Sequence, residues 1–159
     1  MKFEVIAIGE KKPDTTSWLI QKFIHANYSH LAILVDGDRV FHATEKGFHE
    51  SKLKDELENS EIRERIPIRF DGNLQRWKAY GWLLGKIGAK YSFLQYIGYL
   101  FPFINHLKWI GNKRRETVCS EVVADWLYDC APDFIGDPRL KDADFLSPKQ
   151  VIEILNDIA

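Results

Sequence analysis

Cys119 is the residue in this chain best placed by its neighbours to do chemistry. It stands in Thr117-Val118-Cys119-Ser120-Glu121-Val122-Val123, where a loop enters an apolar-periodic segment that reads as a helix. A thiol at a helix N-terminus faces unpaired N–H groups and the positive end of the dipole, which favour thiolate. Lys113, Arg114 and Arg115 lie just upstream and add positive charge. The plainer reading is a small buried hydrophobe, the usual fate of a free cysteine. A nucleophilic cysteine needs a base, and histidine is the usual one. The chain offers His25, His30, His42, His49 and His106. His30 opens the apolar run Leu31–Val35, and His42 follows Val40-Phe41 in the returning run. If Asp36-Gly37 makes the turn between them, the two imidazoles come from neighbouring strands. One could then orient the other through a hydrogen bond, as the third member of a catalytic triad does. His25, His49 and His106 read as packed or surface histidines.

The same residues allow a metal reading. His30, His42 and Cys119 are soft-to-borderline ligands, with His49 or water as a fourth for zinc. Structural zinc motifs bring their ligands in close pairs, and these histidines are not so spaced. No metal and no cofactor is therefore expected. The second cysteine, Cys130, falls in the same predicted helix, with its Cα roughly 16 Å from that of Cys119. A disulfide between them is out of reach, so the cysteines do not indicate an oxidising compartment.

The elements that must position these side chains can be read in order. Residues 2–8 read as a strand. Asp14 is a helix N-cap, with the helix running to about residue 26. Leu31–Val35 and Val40–Ala43 pair through Asp36-Gly37 as a hairpin. Residues 50–59 are highly charged and read as a solvated helix or loop. Arg65–Phe70 alternates as a strand, and Pro67 marks it as an edge. Residues 73–89 read as a helix. Gly81, Gly85 and Gly88 recur on one side of it; each glycine costs about 1 kcal/mol against alanine in a helix, so this face is expected to pack closely on another element. Residues 119–129 form an amphipathic helix with Val122, Val123, Trp126 and Leu127 inward. Ser147, Pro148 and Gln150 supply an N-cap, N1 proline and capping box for a last helix to about Asn156. One strand, one helix, several strands and then mostly helices is an α+β order with an antiparallel sheet.

Composition narrows the function classes. The chain has 159 residues, with 22 Lys+Arg against 23 Asp+Glu. That length argues for a single domain over 1–159, with an aromatic insertion at 93–112. The balanced charge argues against electrostatic nucleic-acid binding and against a polybasic membrane-surface protein. The N-terminus reads as a strand, not a signal peptide, so a cytoplasmic location is expected; export by another route or phage association is compatible with it. The stretch 93–110 is the most membrane-like, but Gln95, Pro102, Asn105, His106 and Lys108 are costly in a bilayer core. No transmembrane segment is expected; peripheral lipid contact through this stretch is the alternative, and it would wall a cleft beside Cys119.

Two blocks carry a resemblance. Tyr28-Ser29-His30-Leu31-Ala32-Ile33-Leu34-Val35, Asp36-Gly37 and Val40-Phe41-His42-Ala43 form the first. Gly88-Ala89-Lys90-Tyr91-Ser92 and Cys119-Ser120-Glu121-Val122-Val123 form the second. Together they resemble the circularly permuted NlpC-type papain-like cysteine hydrolases, the YiiX/YebB-like group, and more distantly the lecithin:retinol acyltransferase-like proteins. In that group the His-bearing strands precede the Cys-bearing helix, and this chain has that order. The resemblance implies a permuted papain-like fold with an antiparallel sheet packed against helices. It implies a thiol hydrolase acting on an amide, a cell-wall peptide or a lipid acyl group through a covalent thioester. Cys119 would be the nucleophile, His30 the base, and His42, where many members carry a carboxylate, the orienting residue. Tyr91 matches the tyrosine of the group's G-x-x-Y block, with Ser92 where an Asp often follows. The Cys119 N–H would form part of an oxyanion hole, with Tyr91 or Tyr28 as second donor. Glu121 would make a structural hydrogen bond. Gly9-Glu10 stands where the group usually has Gly-Asp. The expected partner is a small-molecule, peptide or acyl substrate. A non-catalytic ligand- or lipid-binding protein on the same scaffold is the other reading.

Overall fold

The structure is a computed structural model that describes residues 1–13, 18, 21–22, 25–91, 116–141 and 146–158. Five strands come first: β1 (Phe3–Glu10), β2 (His30–Val35), β3 (Arg39–Thr44), β4 (Gly47–Lys52) and β5 (Ser60–Ile68). They form one antiparallel sheet in the order β4-β3-β2-β1-β5. A four-residue helix α1 (Leu53–Glu56) lies between β4 and β5. Helices α2 (Asn73–Lys86), α3 (Cys119–Cys130) and α4 (Pro148–Ile158) follow, with two short strands, β6 (Lys90–Tyr91) and β7 (Glu116–Thr117), paired in parallel. This is the α+β arrangement expected. Of the helix expected from Asp14, only Trp18, Gln21 and Lys22 are described, as helix; the aromatic stretch at 93–112 lies outside the described residues. Among the described residues no helix is long and apolar enough to cross a membrane.

The sheet is covered on both faces, and its sequence says so. Val5–Ile8 and Leu31–Val35 are continuous apolar runs because both sides of a central strand are buried. Phe3, Val5, Leu31, Ile33, Phe41 and Ala43 face α2, α3 and α4, and meet Val122, Val123, Trp126, Val151 and Leu155. Phe3, Phe70 and Trp126 stack with centroids 5.1–6.0 Å apart, and the Trp126 indole N–H donates to the Ala79 carbonyl at 3.2 Å. Ile6, Ile8, Ala32, Leu34 and Val40 form a second cluster on the opposite face, against Leu53 and Ile62. Strand β5 is an edge, as Pro67 requires, and its charged first half is solvated. The hairpin turn has φ of 53° at Asp36 and 77° at Gly37, the two positive values of a type I′ turn. The last helix is capped as expected: the Ser147 N–H donates to Gln150 Oε1 at 2.9 Å and the Gln150 N–H to Ser147 Oγ at 3.3 Å.

Two expectations are corrected. Residues 50–59 are not one solvated helix or loop: Glu50–Lys52 complete β4, Leu53–Glu56 form α1, and a turn leads to β5. The charge misled because β4 is an edge strand, whose outward side chains are polar without breaking the ladder. The face of α2 that carries Gly81 and Gly85 does not pack closely. A Cβ at Gly81, Gly85 or Gly88 would meet nothing within 4 Å. The inward face is that of Ala79 and Leu83, and Gly88, at φ 89°, closes the C-terminus of the helix.

The glycine that does matter for position is Gly47. Its φ is 91°, and a Cβ there would lie 2.6 Å from the Ala89 carbonyl oxygen. That approach lets the Phe48 N–H donate to Ala89 O at 2.7 Å and the Gly88 N–H to Phe48 O at 2.8 Å, docking the chain that leads into β6 on β4. Opposite outcomes are therefore expected from similar changes. Gly81→Ala and Gly85→Ala should each stabilise by roughly 0.5–1 kcal/mol, whereas Gly47→Ala should destabilise by about 1–3 kcal/mol from backbone strain alone. Urea unfolding of the three variants measures this; a loss of stability in Gly85→Ala would mean that its face is in contact.

Candidate active site

Strand alternation sets the site. His30 lies two residues before Ala32 on β2, and His42 two after Val40 on β3, so both belong to the second face of the sheet. His49 of β4 is directly opposite His42, and Ser51 is two residues on. The His30 Nε2 and His42 Nδ1 atoms are 2.9 Å apart, with the rings edge to face. The far nitrogen of His42, Nε2, has Ser51 Oγ at 3.2 Å and Glu56 Oε1 at 3.4 Å. The His49 ring lies against His42 with centroids 4.6 Å apart, and its Nδ1–H donates to the Gly47 carbonyl at 2.9 Å. His42 is 2% exposed, and both its ring nitrogens have partners.

Cys119 arrives from the other side. Helix α3 packs on β2 and β3 across the helical face of the sheet. The β2–β3 ladder runs through Val35↔Arg39, Leu34↔Val40 and Ile33↔Phe41 and stops there. Beyond Ile33 the strands part, and the Leu31 N–H donates to the Cys119 sulfur. The thiol therefore sits at the amide of the residue that follows His30. The N–H groups of Ser120 and of Cys119 itself also point at the sulfur, as the first turn of a helix dictates. The start of α3 is held by Glu121, whose Oε2 accepts the Val118 N–H at 3.2 Å. Strands β6 and β7 place the Tyr91 backbone beside Thr117, two residues before Cys119.

Of the two readings of Cys119's position, the plainer one, a buried thiol, holds at rest. Cys119 is 7% exposed, and burial pushes its thiol up against the opposing pull of the Leu31, Ser120 and Cys119 amides. Burial also pushes His30 down to about 3; His42 and His49 add to this, and the Glu56 charge opposes it. The resting pair is a neutral thiol and a neutral imidazole. Glu56 is held down to about 2, first by its hydrogen bond with His42. It stays ionised at any ordinary pH.

Of the residues marked in the sequence, the fold pairs His30 directly with His42 and seats the Cys119 sulfur at the amide of Leu31, the residue after His30. Tyr28 is 3% exposed in the main core; burial, then Glu64 and Glu153, raise its hydroxyl to about 12. Those carboxylates are on β5 and α4, not among the histidines. The side chain of Tyr91 lies outside the described residues. Sequence reasoning missed Glu56, Ser51 and the contact of His49 with His42. The signal available was the alternation of His49 and Ser51 on a third strand, which the charge of the segment concealed.

No family model matches the chain, and no curated protein does. Among solved structures it is similar to the crystal structure of the metalloprotein YiiX from Escherichia coli O157:H7. The TM-score is 0.64 at 17% identity, over 96% of this chain and 92% of that one. The acid sensitivity of the fold follows from the site. Between pH 6.5 and about 3 the unfolded chain binds a proton at residue 30 that the native protein refuses, so stability falls on acidification through that window and is complete above it. The contribution of Glu56 is complete above pH 4.5 and is lost as pH falls towards about 2. Urea midpoints measured from pH 7.5 to 3 should show a shallower slope in His30→Gln than in the wild type; equal slopes would mean that the His30 imidazole is not buried in its neutral form. At that level of identity the chain shares with YiiX its fold.

Proposed function

We propose that this protein is a cysteine hydrolase of the circularly permuted, NlpC-type papain-like kind, a single domain cleaving an amide or ester through a thioester on Cys119. The observation that carries the reading is where the Cys119 sulfur sits relative to the histidine pair. The Cys119 sulfur is hydrogen-bonded to the Leu31 amide, and the adjacent His30 is paired with His42 at 2.9 Å. The contact of Cys119 with the residue next to His30 is what supports pairing it with the two histidines.

The chemistry uses a neutral pair. The Nε2 of His30 is turned to His42, so Nδ1 would be the nitrogen that acts on the thiol. As Sγ bonds to the carbonyl carbon, the S–H proton passes to His30. The N–H groups at the start of α3 supply donors for the oxyanion of the tetrahedral intermediate. His30 then gives its proton to the leaving amine or alcohol as the C–N or C–O bond breaks. Water then attacks the thioester carbon as His30 takes its proton; the C–S bond breaks, the acid is released, and His30 returns the proton to the Cys119 sulfur. Concerted transfer of this kind needs no preformed thiolate, and acid–base assistance is worth roughly 10²–10⁴ in rate. The aromatic stretch before Cys119 tilts the substrate toward a lipid or acyl group, with cell-wall peptides and other amides as the alternatives.

The similar fold of YiiX belongs to a protein described as a metalloprotein. Among the described residues, no three His, Cys, Asp or Glu side chains are placed to hold one metal ion. Both nitrogens of His42 are turned to His30 and to Ser51 and Glu56. His42 thus has no nitrogen turned to a metal, and the mechanism takes no step through one. The burial of Cys119 supports a second reading, a ligand-binding protein on the same scaffold.

Iodoacetamide separates the two. Alkylation of Cys119 in Cys130→Ser, followed by mass spectrometry at pH 7.5, should slow by roughly 10²-fold or more when His30 is also changed to Ala, the loss of a general base. A rate independent of His30 would leave the binding protein as the better description. Hydrolysis of a panel of amides, thioesters and acyl esters by the wild type, absent in Cys119→Ser, would then identify the bond cleaved.

A further inference from the structure

We infer that Glu56 is a positioning residue for the site: its carboxylate, acting through His42, decides which nitrogen of His30 is free to take the Cys119 proton. The inference rests on the hydrolase reading for its meaning, but the proton positions it assigns stand on the contacts around His42.

When both rings are neutral, two imidazoles joined by one hydrogen bond can hold their protons in two ways. If His30 Nε2–H donates to His42 Nδ1, then His30 Nδ1 carries a lone pair and is a base. If His42 Nδ1–H donates to His30 Nε2, then His30 Nδ1 carries the proton and cannot receive another. The 2.9 Å contact is satisfied equally by both. The choice is made at the far side of His42, where Nε2 is 3.4 Å from Glu56 Oε1 and 3.2 Å from Ser51 Oγ.

An ionised carboxylate can only accept. A lone pair on His42 Nε2 would face its negative charge in a site that is 2% exposed at His42, where such a repulsion is weakly screened. Nε2 must therefore carry the hydrogen. Ser51 agrees, because its hydroxyl hydrogen-bonds to Glu56 and so offers its lone pairs to the His42 N–H. With Nε2–H fixed, His42 Nδ1 is an acceptor, His30 Nε2–H is the donor, and His30 Nδ1 is left basic. Each imidazole passes on the polarity imposed by the carboxylate.

The fold holds Glu56 for this. The Leu53 side chain packs on the second apolar cluster, and the Leu53 N–H donates to the Asp38 carbonyl at 2.7 Å, tying α1 to the β2–β3 hairpin. A single short turn then carries Glu56 back over β4 to His42. The His30–His42–Glu56 series thus has a member that neither strand of the hairpin supplies. This separates its role from that of His42, which touches His30 directly.

The test is imidazole tautomer assignment by long-range ¹H–¹⁵N correlation at pH 7.5, which needs no substrate. In the wild type, His42 and His30 should both be Nε2–H tautomers. Glu56→Gln presents an amide that can donate to His42 Nε2, and should shift both rings toward the Nδ1–H form. It should also slow His30-dependent alkylation of Cys119 roughly 10-fold or more, as loss of the correct tautomer does in triads. Glu56→Asp, which keeps the charge, should retain the wild-type tautomers. Because Glu56 is on a part-exposed turn, its unfolding midpoint serves as the control for folding. A wild-type His42 protonated at Nδ1, or tautomers and alkylation both unmoved in folded Glu56→Gln, would overturn the inference. If alkylation proves independent of His30 in the wild type, the hydrolase reading fails, and the tautomers still judge the role of Glu56.

Discussion

Where β2 and β3 part beyond Ile33, the amide of Leu31 is left inside the protein without a strand partner, and an unpaired buried N–H is costly. It is satisfied by the sulfur of Cys119. That one contact requires the start of α3 to be seated at the opening of the sheet, and much of the rest can be read as its support. Glu121 holds the first turn of α3, Trp126 holds its body to α2 and to Phe3, and Gly47 admits the chain that leads toward it.

The opening also joins two environments. On the helical face the sheet is apolar and closely packed. On the other, three histidines, a serine and a glutamate interrupt an apolar cluster at one end of the strands. A polar group set into such a surface is tolerated when its partners are complete. His42 has a partner at each nitrogen. Burial acts on the reacting pair: His30 is held down, Cys119 is held up, and Glu56 is the ionised group beside them. In the hydrolase proposed above, a pair so tuned would transfer a proton during reaction instead of storing a thiolate at rest.

That tuning runs against the local reading of Cys119. A helix N-terminus with Arg114 and Arg115 upstream predicts a thiolate, because dipole and charge both favour it. The amides do lower the thiol, but desolvation outweighs them. Helix position is written in the sequence; depth of burial depends on what other segments cover the sulfur. The misreading of residues 50–59 has a related origin. Charge along an edge strand reports solvent on one side, not the absence of pairing, and β4 was hidden for that reason along with His49 and Ser51.

The sequence by itself determined the central strands, the hairpin at Asp36-Gly37, the amphipathic α3 and the capped α4. Each is encoded within a window of about ten residues by apolar periodicity, turn chemistry or caps. It also marked Cys119, His30 and His42, through residue type and the hairpin that joins the two histidines. Only the tertiary structure decided that α3 meets the sheet where β2 and β3 separate, that Glu56 returns over β4 to His42, and that the glycines of α2 face outward. Those outcomes depend on which faces of distant elements are buried together. A local pattern shows that a face is apolar or polar, and the choice of partner is made by packing across the whole chain.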